Sequence, residues 1–261
     1  RLKPMPTKKV TVIIPARMGS SRFPGTPLAK ILDLPMIEHV RRRVTICGIA
    51  DEIYVATCDD EIKEVVESYG GKVIMTAHTH ERCTDRIEEA ASVINADIVV
   101  NVQGDEPLLF SGAVRDVAQP LVESSDTSCS CLVYPIVDLA ELGNINVVKS
   151  VLSQNNQIMY LSRSPIPHFE ENENYPLYKQ SGIMAFQKNF LHKYSRLAPT
   201  PLEKAESVDM LRILEHGYDI LGVVTPYETQ GVDVPEDIQR VERILSEDET
   251  QRNLYERILN L

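Results

Sequence analysis

Apolar positions along this chain recur with two periods. Short β-branched runs alternate with stretches in which apolar residues return every third or fourth position. Lys9 to Pro15 reads as a strand, and Pro35 to Cys47 as a helix with Met36, Ile37, Val40 and Val44 on one face. Glu52 to Thr57 is again strand-like. Glu61 to Tyr69 carries Ile62, Val65, Val66 and Tyr69 at helical spacing, with Gly70 as its stop. Lys72 to Met75 predicts a strand, Thr84 to Ile94 a helix, and Asp97 to Gln103 a strand. This βαβαβαβ order predicts an α/β fold, a parallel sheet with helices on both faces.

The later half has another rhythm. Val147 to Leu152 and Gln157 to Ser162 flank Ser153-Gln154-Asn155-Asn156, a hairpin signal. Gly182 to Phe186 and Asp219 to Thr225 predict strands. Phe190 to Leu197, Leu202 to His216, and Pro235 to Leu245 onward predict helices. With no repeat, low-complexity tract or linker, residues 1–261 read as one domain in two lobes, about 9–125 and about 126–230, closed by a segment over 231–261.

Composition narrows the chemistry. The chain's 261 residues suit one large α/β domain. Its net charge of −11 argues against nucleic acid as a partner, so an anionic ligand would need a local basic pocket. The triplet Arg41-Arg42-Arg43 falls on a predicted helix and reads as a solvated face. The five cysteines are odd in number and form no C-x-x-C pair, which indicates neither a disulfide framework nor a zinc site. Cys129 and Cys131 share one face of a predicted strand and are expected to be buried. The histidines show no metal-ligand spacing, and His78 and His80 are expected to face solvent. No apolar run approaches the roughly 20 residues that span a bilayer. No signal-peptide-like apolar stretch follows the basic start Arg1 to Lys9, so the expectation is a cytoplasmic protein without membrane contact.

The first strand runs into Pro15-Ala16-Arg17-Met18-Gly19-Ser20-Ser21-Arg22-Phe23-Pro24-Gly25. A loop after the first strand of an α/β sheet lies at the ligand-binding edge. Its small residues let backbone N–H groups approach phosphate, and its two arginines offer paired donors. The pattern is neither G-x-x-x-x-G-K-[ST] nor G-x-G-x-x-G. A surface turn with solvated arginines is the competing reading.

Further stretches stand in order along the chain: Ile13-Ile14-Pro15-Ala16-Arg17, Ser21-Arg22, Pro35-Met36-Ile37, Ala56-Thr57, Gly70-Gly71, and Thr84 with Arg86. Asn101-Val102-Gln103-Gly104-Asp105-Glu106-Pro107, Ser162-Arg163, Pro199-Thr200-Pro201-Leu202-Glu203, Leu211-Arg212 and Gly231-Val232-Asp233 follow. Together they resemble the 3-deoxy-manno-octulosonate cytidylyltransferases, over nearly the whole chain. The resemblance implies a GT-A-like, Rossmann-like nucleotidyltransferase fold with a mixed, mostly parallel sheet, CTP as nucleotide, Mg²⁺ as cofactor and a homodimer.

Carried over by residue, it implies Asp105 and Asp233 as metal ligands, catalytic together with Arg17 and Arg22. Pro15, Ala16, Arg17, Gly19, Ser20, Ser21, Arg22, Thr84, Arg86, Gln103 and Asp105 would bind the nucleotide. Arg163, Gln180, Gly182, Met184, Glu206, Asp209 and Met210 would meet an acidic acceptor. Residue-level alternatives stay open: Asp105 as a turn residue, Arg163 as an exposed strand residue, and Asp233 with Glu236 as a D-x-x-E helix start.

The chain departs from the family in places. Thr26 replaces the lysine of P-G-K-P-L, with Lys30 as a candidate substitute. A hydrogen bond to a charged group is worth about 1.5–3 kcal/mol, so its loss slows chemistry by roughly 10- to 150-fold rather than abolishing it. Arg82-Cys83-Thr84-Asp85-Arg86 stands for S-G-T-x-R. Met184 and Met210 fall where the family has polar residues. From these the expectation is a different acid: a modified or aminated ulosonic acid, or a small phosphonate-bearing carboxylate. Two rivals remain. A nucleotide-sugar glycosyltransferase would carry an internal D-x-D, which is absent, and a non-catalytic homologue is prompted by Thr26.

Overall fold

The structure, a computed structural model, describes residues 8–19, 23–80, 82–168, 175–227 and 230–261. The first lobe opens with β1 (Val10–Pro15), a small hairpin of β2 (Lys30–Ile31) and β3 (Leu34–Pro35), and α1 (Met36–Thr45). It continues through β4 (Glu52–Thr57), α2 (Asp60–Ser68), β5 (Lys72–Met75), α3 (Cys83–Ser92), β6 (Ile98–Asn101) and α4 (Ser111–Glu123). Then come β7 (Cys129–Pro135), β8 (Lys149–Leu152), β9 (Ile158–Ser162), β10 (Tyr178–Gln187), α5 (Lys188–Ser195), α6 (Pro201–Glu206), α7 (Leu211–Glu215) and β11 (Leu221–Val224). The helices α8 (Glu236–Glu247) and α9 (Glu249–Leu259) follow.

The main sheet runs β11-β7-β10-β6-β1-β4-β5. Strands β5, β4, β1 and β6 are parallel neighbours, as the alternating pattern predicted. Beyond β6 the order becomes mixed: β10 lies antiparallel to both β6 and β7, and β8 with β9 branch from β10. Every residue of β1 is buried, and its side chains alternate between two cores. Val12 and Ile14 join the helices α1 and α4, while Ile13 joins the layer of α3, α5 and α7. Burial on both faces is what a continuous apolar run in a central parallel strand permits. Each such side chain contributes roughly 1.5–3 kcal/mol. Because β4 and β6 flank β1 on opposite sides, a crevice opens at the carboxyl end of β1, where ligands of such sheets bind.

Several expectations are corrected. The stretch Leu202 to His216 is two helices, because Ser207 turns left-handed (φ 52°) and ends α6 after its Thr200–Glu203 capping box. The closing helix likewise divides, Asp248 accepting from the Gln251 N–H to start α9. Helix α4, with Pro120 inside it, was not anticipated. The arginine triplet is not a solvated face. Arg43 is 0% exposed and Arg42 only 8%, since α9 packs against α1. Arg42 binds Glu38 (3.1 Å) and the Ile258 carbonyl (2.9 Å), and Arg43 donates to the Leu109 carbonyl (3.1 Å). Cys129 and Cys131 are buried as expected. No helix among the described residues is long and apolar enough to cross a membrane.

Candidate active site

The loops after β1 and β6 come close because Gly104 has no side chain. A Cβ there would stand 2.9 Å from the Pro15 carbonyl oxygen. Their approach leaves a cavity of about 290 Å³ at the carboxyl edge. Pro15, Ala16 and Arg17 form one wall, Gln103, Gly104 and Asp105 another, and Val232 with Asp233 a third. Asp105 and Asp233, far apart in sequence, are joined through the backbone: the Val232 N–H donates to the Asp105 carbonyl at 2.9 Å. The helix-start reading of Asp233 does not describe this turn. It is the Asp237 carboxylate that accepts the N–H groups of Asp233 and Val234, at 2.9 and 3.1 Å.

Among the described residues, Arg17, Arg82 and Arg86 bring guanidinium groups to the cavity lining. Arg17 is exposed, whereas Arg86 is buried and donates to the Thr76 hydroxyl. Arg82 is held by Glu203 (3.0 Å) and Asp85 (3.3 Å). Beside Asp105, the Glu106 carboxyl is pushed up to about 8, first by burial and then by the charges of Asp105 and Asp233. Its Oε2 has no hydrogen-bond partner among the described residues. Asp105 and Asp233 thus bring two carboxylates to one cavity, the hard oxygen donors that Mg²⁺ prefers.

The base of the cavity is tuned by Gln103. Its amide nitrogen is 3.5 Å from the Gly182 carbonyl, and a Cβ at Gly182 would sit 2.8 Å from its Cγ. The Cys83 thiol faces Gln103 Oε1 at 3.7 Å, its ionisation pushed up by burial and by Asp105 and Asp209.

Of the other expected nucleotide residues, Gly19 is exposed beside this wall. Thr84 lies in the first turn of α3 near Tyr194, outside the cavity lining. Ser20, Ser21 and Arg22 fall outside the described residues. Thr26 lines the cavity, its hydroxyl closing its own turn onto the Phe23 carbonyl. Lys30 is exposed on β2 and does not line the cavity. The cation gained at Arg82 lies there instead. His80, expected in solvent, also lines it, paired with Glu89.

None of the expected acceptor residues lines this cavity. The Arg163 guanidinium donates to the carbonyls of Glu206 (2.7 Å), Ile145 (2.9 Å) and Ser207 (3.1 Å), so it ties β9 to α6. Glu206 accepts from the Ser162 hydroxyl (2.6 Å) and the Arg163 N–H (2.8 Å), and the Ser162 bond foremost holds it below the usual carboxylate range. Met184 and Met210 are packed in the core with Phe186 and Tyr194. Gln180 is half-buried, and its Oε1 has no hydrogen-bond partner among the described residues. Asp209 is half-buried, pushed up by burial and drawn back by Arg82.

A sequence profile described as cytidylyltransferase matches residues 11–220. A 3-deoxy-manno-octulosonate cytidylyltransferase of Geobacter metallireducens is 42% identical, the match covering 91% of this chain and 98% of that protein. An 8-amino-3,8-dideoxy-manno-octulosonate cytidylyltransferase of Shewanella frigidimarina is 40% identical, over 92% and 100%. Among solved structures, a CMP:2-keto-3-deoxy-manno-octonic acid synthetase complexed with CTP superposes with a TM-score of 0.88. It is 36% identical and covers 92% of this chain and 99% of its own.

Proposed function

Because this chain belongs to the cytidylyltransferase family, its chemistry is nucleotidyl transfer from CTP, and we propose that it activates an eight-carbon ulosonic acid. An acceptor hydroxyl attacks the α-phosphorus and gives its proton to solvent, CMP joins the acid, and pyrophosphate leaves with the electrons of the broken P–O bond. Catalysis of this kind rests on positioning and charge neutralisation. Arg17 and Arg86 would hold the phosphates, with Arg82 adding positive charge. Asp105 and Asp233 would hold Mg²⁺, which prefers oxygen ligands and when bound offsets charge on the phosphates. The observation that carries this reading is the convergence of Asp105 and Asp233 on one cavity that Arg17, Arg82 and Arg86 also line.

A second acceptor, the 8-amino acid, is favoured by Asp209. Asp209 does not itself line the cavity, but its half-buried carboxyl stands near Arg82 and Cys83, which do, so an amino group reaching that wall would meet its charge. The structure lends no support to methionines as acceptor contacts. The expected homodimer is part of this proposal, supported by exposed apolar side chains in the second lobe: Val137, Leu139, Ile145 and Met159.

The test is pyrophosphate release with CTP and Mg²⁺ against both ulosonic acids. Asp105→Asn and Asp233→Asn should each lower the rate more than roughly 100-fold. Preference for the 8-amino acid that Asp209→Asn erases would establish the second reading. Silence with both acids would remove the proposal.

A further inference from the structure

A second set of metal-binding groups lies beside the nucleotide loop. The strands β4 and β5 are parallel neighbours, and the Thr76 N–H donates to the Thr57 carbonyl (2.8 Å), so the chain leaves both strands side by side. Cys58 and Asp59 follow β4, and His78 follows β5. A thiol, a carboxylate oxygen and an imidazole nitrogen from these residues all lie within 4.8 Å of one another. The Cys58 thiol already points at Asp59 Oδ2, at 3.7 Å.

We propose that Cys58, Asp59 and His78 form a binding site for a borderline-soft divalent cation of the Zn²⁺ class, distinct from the oxygen-only pair Asp105 and Asp233. Sulfur, nitrogen and oxygen donors together select such an ion over Mg²⁺. Bonds of roughly 2.0–2.3 Å to one tetrahedral ion hold donor atoms about 3.3–3.8 Å apart. Because His78 is exposed, its ring can turn to close the remaining gap, while buried Cys58 and half-buried Asp59 form the fixed side. The thiol gives its proton to solvent as the sulfur–metal bond forms, and the fourth position is left to water. No C-x-x-C spacing announces the trio, because its members come from two strands that meet only in the folded sheet.

The location gives the site a reach. Asp59 Oδ2 accepts the N–H of Met18 at 2.8 Å, next to Arg17. An ion held by Asp59 is therefore one residue's contact away from the phosphate-facing loop.

The probe is Co²⁺, titrated into the full chain with Mg²⁺ in excess to fill the oxygen-only pair. A thiolate-to-cobalt charge-transfer band should appear and saturate at one equivalent, and Zn²⁺ should displace it. Cys58→Ser should abolish the band. His78→Ala, at an exposed position that leaves the fold intact, should weaken Co²⁺ binding at least tenfold. Cys83→Ser, which removes the thiol in the nucleotide cavity, should leave the band unchanged. Absence of the band, its persistence in Cys58→Ser, unaltered binding by His78→Ala, or its loss in Cys83→Ser would each overturn the proposal.

Discussion

His39 is buried in α1 with its Nε2 against the Ile31 carbonyl (2.8 Å) and its ring stacked on Tyr255 at 5.4 Å. Burial first, then Arg43 and Arg42 against the opposing pull of the Ile31 carbonyl and Asp33, lowers its pKa from 6.5 to about 4. Above pH 6.5 the imidazole is neutral whether folded or unfolded, so it adds no pH dependence. Between 6.5 and about 4 the unfolded chain takes up a proton that the folded chain refuses, and stability falls as pH falls. The loss levels off at roughly 3 kcal/mol. His39→Gln should flatten the denaturation midpoint against pH across that window, while an unchanged slope would assign it to other groups. Gly182 offers a test within the active site. Gly182→Ala would place a Cβ 2.8 Å from Gln103 Cγ, so the glutamine must move. The expected outcome is a KM for CTP raised roughly 10-fold or more with thermal stability little changed. An unaltered KM would detach Gln103 from the nucleotide.

At the scale of elements, the join between β9 and α6 is a compact polar device. Glu206 takes bonds from Ser162 and Arg163, and the Arg163 guanidinium takes three carbonyls in return. Glu206→Ala should cost about 1–3 kcal/mol, read from chemical denaturation. A change within error would mean that Arg163 holds the join alone. This scale also shows what the residue pattern could and could not carry. The parallel strands up to β6 and the helices α1 to α3 were legible because their apolar spacing is clean; the two-residue strands β2 and β3 were too short to carry a period. The cavity walls at residues 15–17 and 103–105 were legible through their motifs. The break at Ser207 was not, because a left-handed serine has no spacing signal. Nor was the burial of Arg42 and Arg43, since the helix that covers them arrives from the far end of the chain. Met184 and Met210 misled for a related reason. A position that departs from a family pattern reads as a substrate contact until its packing is seen, and these two are core.

For the whole molecule, the proposed homodimer would use exposed apolar side chains of the second lobe. Val137 is 86% exposed, Ile145 69% and Met159 63%, all from the β7–β8 connection and β9. Scattered apolar residues are ordinary on a surface, but several on one lobe favour association. Sedimentation at micromolar concentration should give a dimer, and Val137→Asp with Ile145→Asp should give monomers. A monomeric parent chain would leave that lobe to solvent.

The bond from Val232 to Asp105 joins two strips of polypeptide made at very different times during synthesis. Helices α8 and α9 fold back so that α9 rests on α1, bringing a later-made stretch of chain onto a much earlier one. A ribosome that has delivered only the sheet has therefore made Asp105 and not yet Asp233. On the roles proposed for Asp105 and Asp233, a chain truncated before residue 231 should still bind CTP and release no pyrophosphate from it. On the proposed roles, competence at this centre waits until that clasp closes.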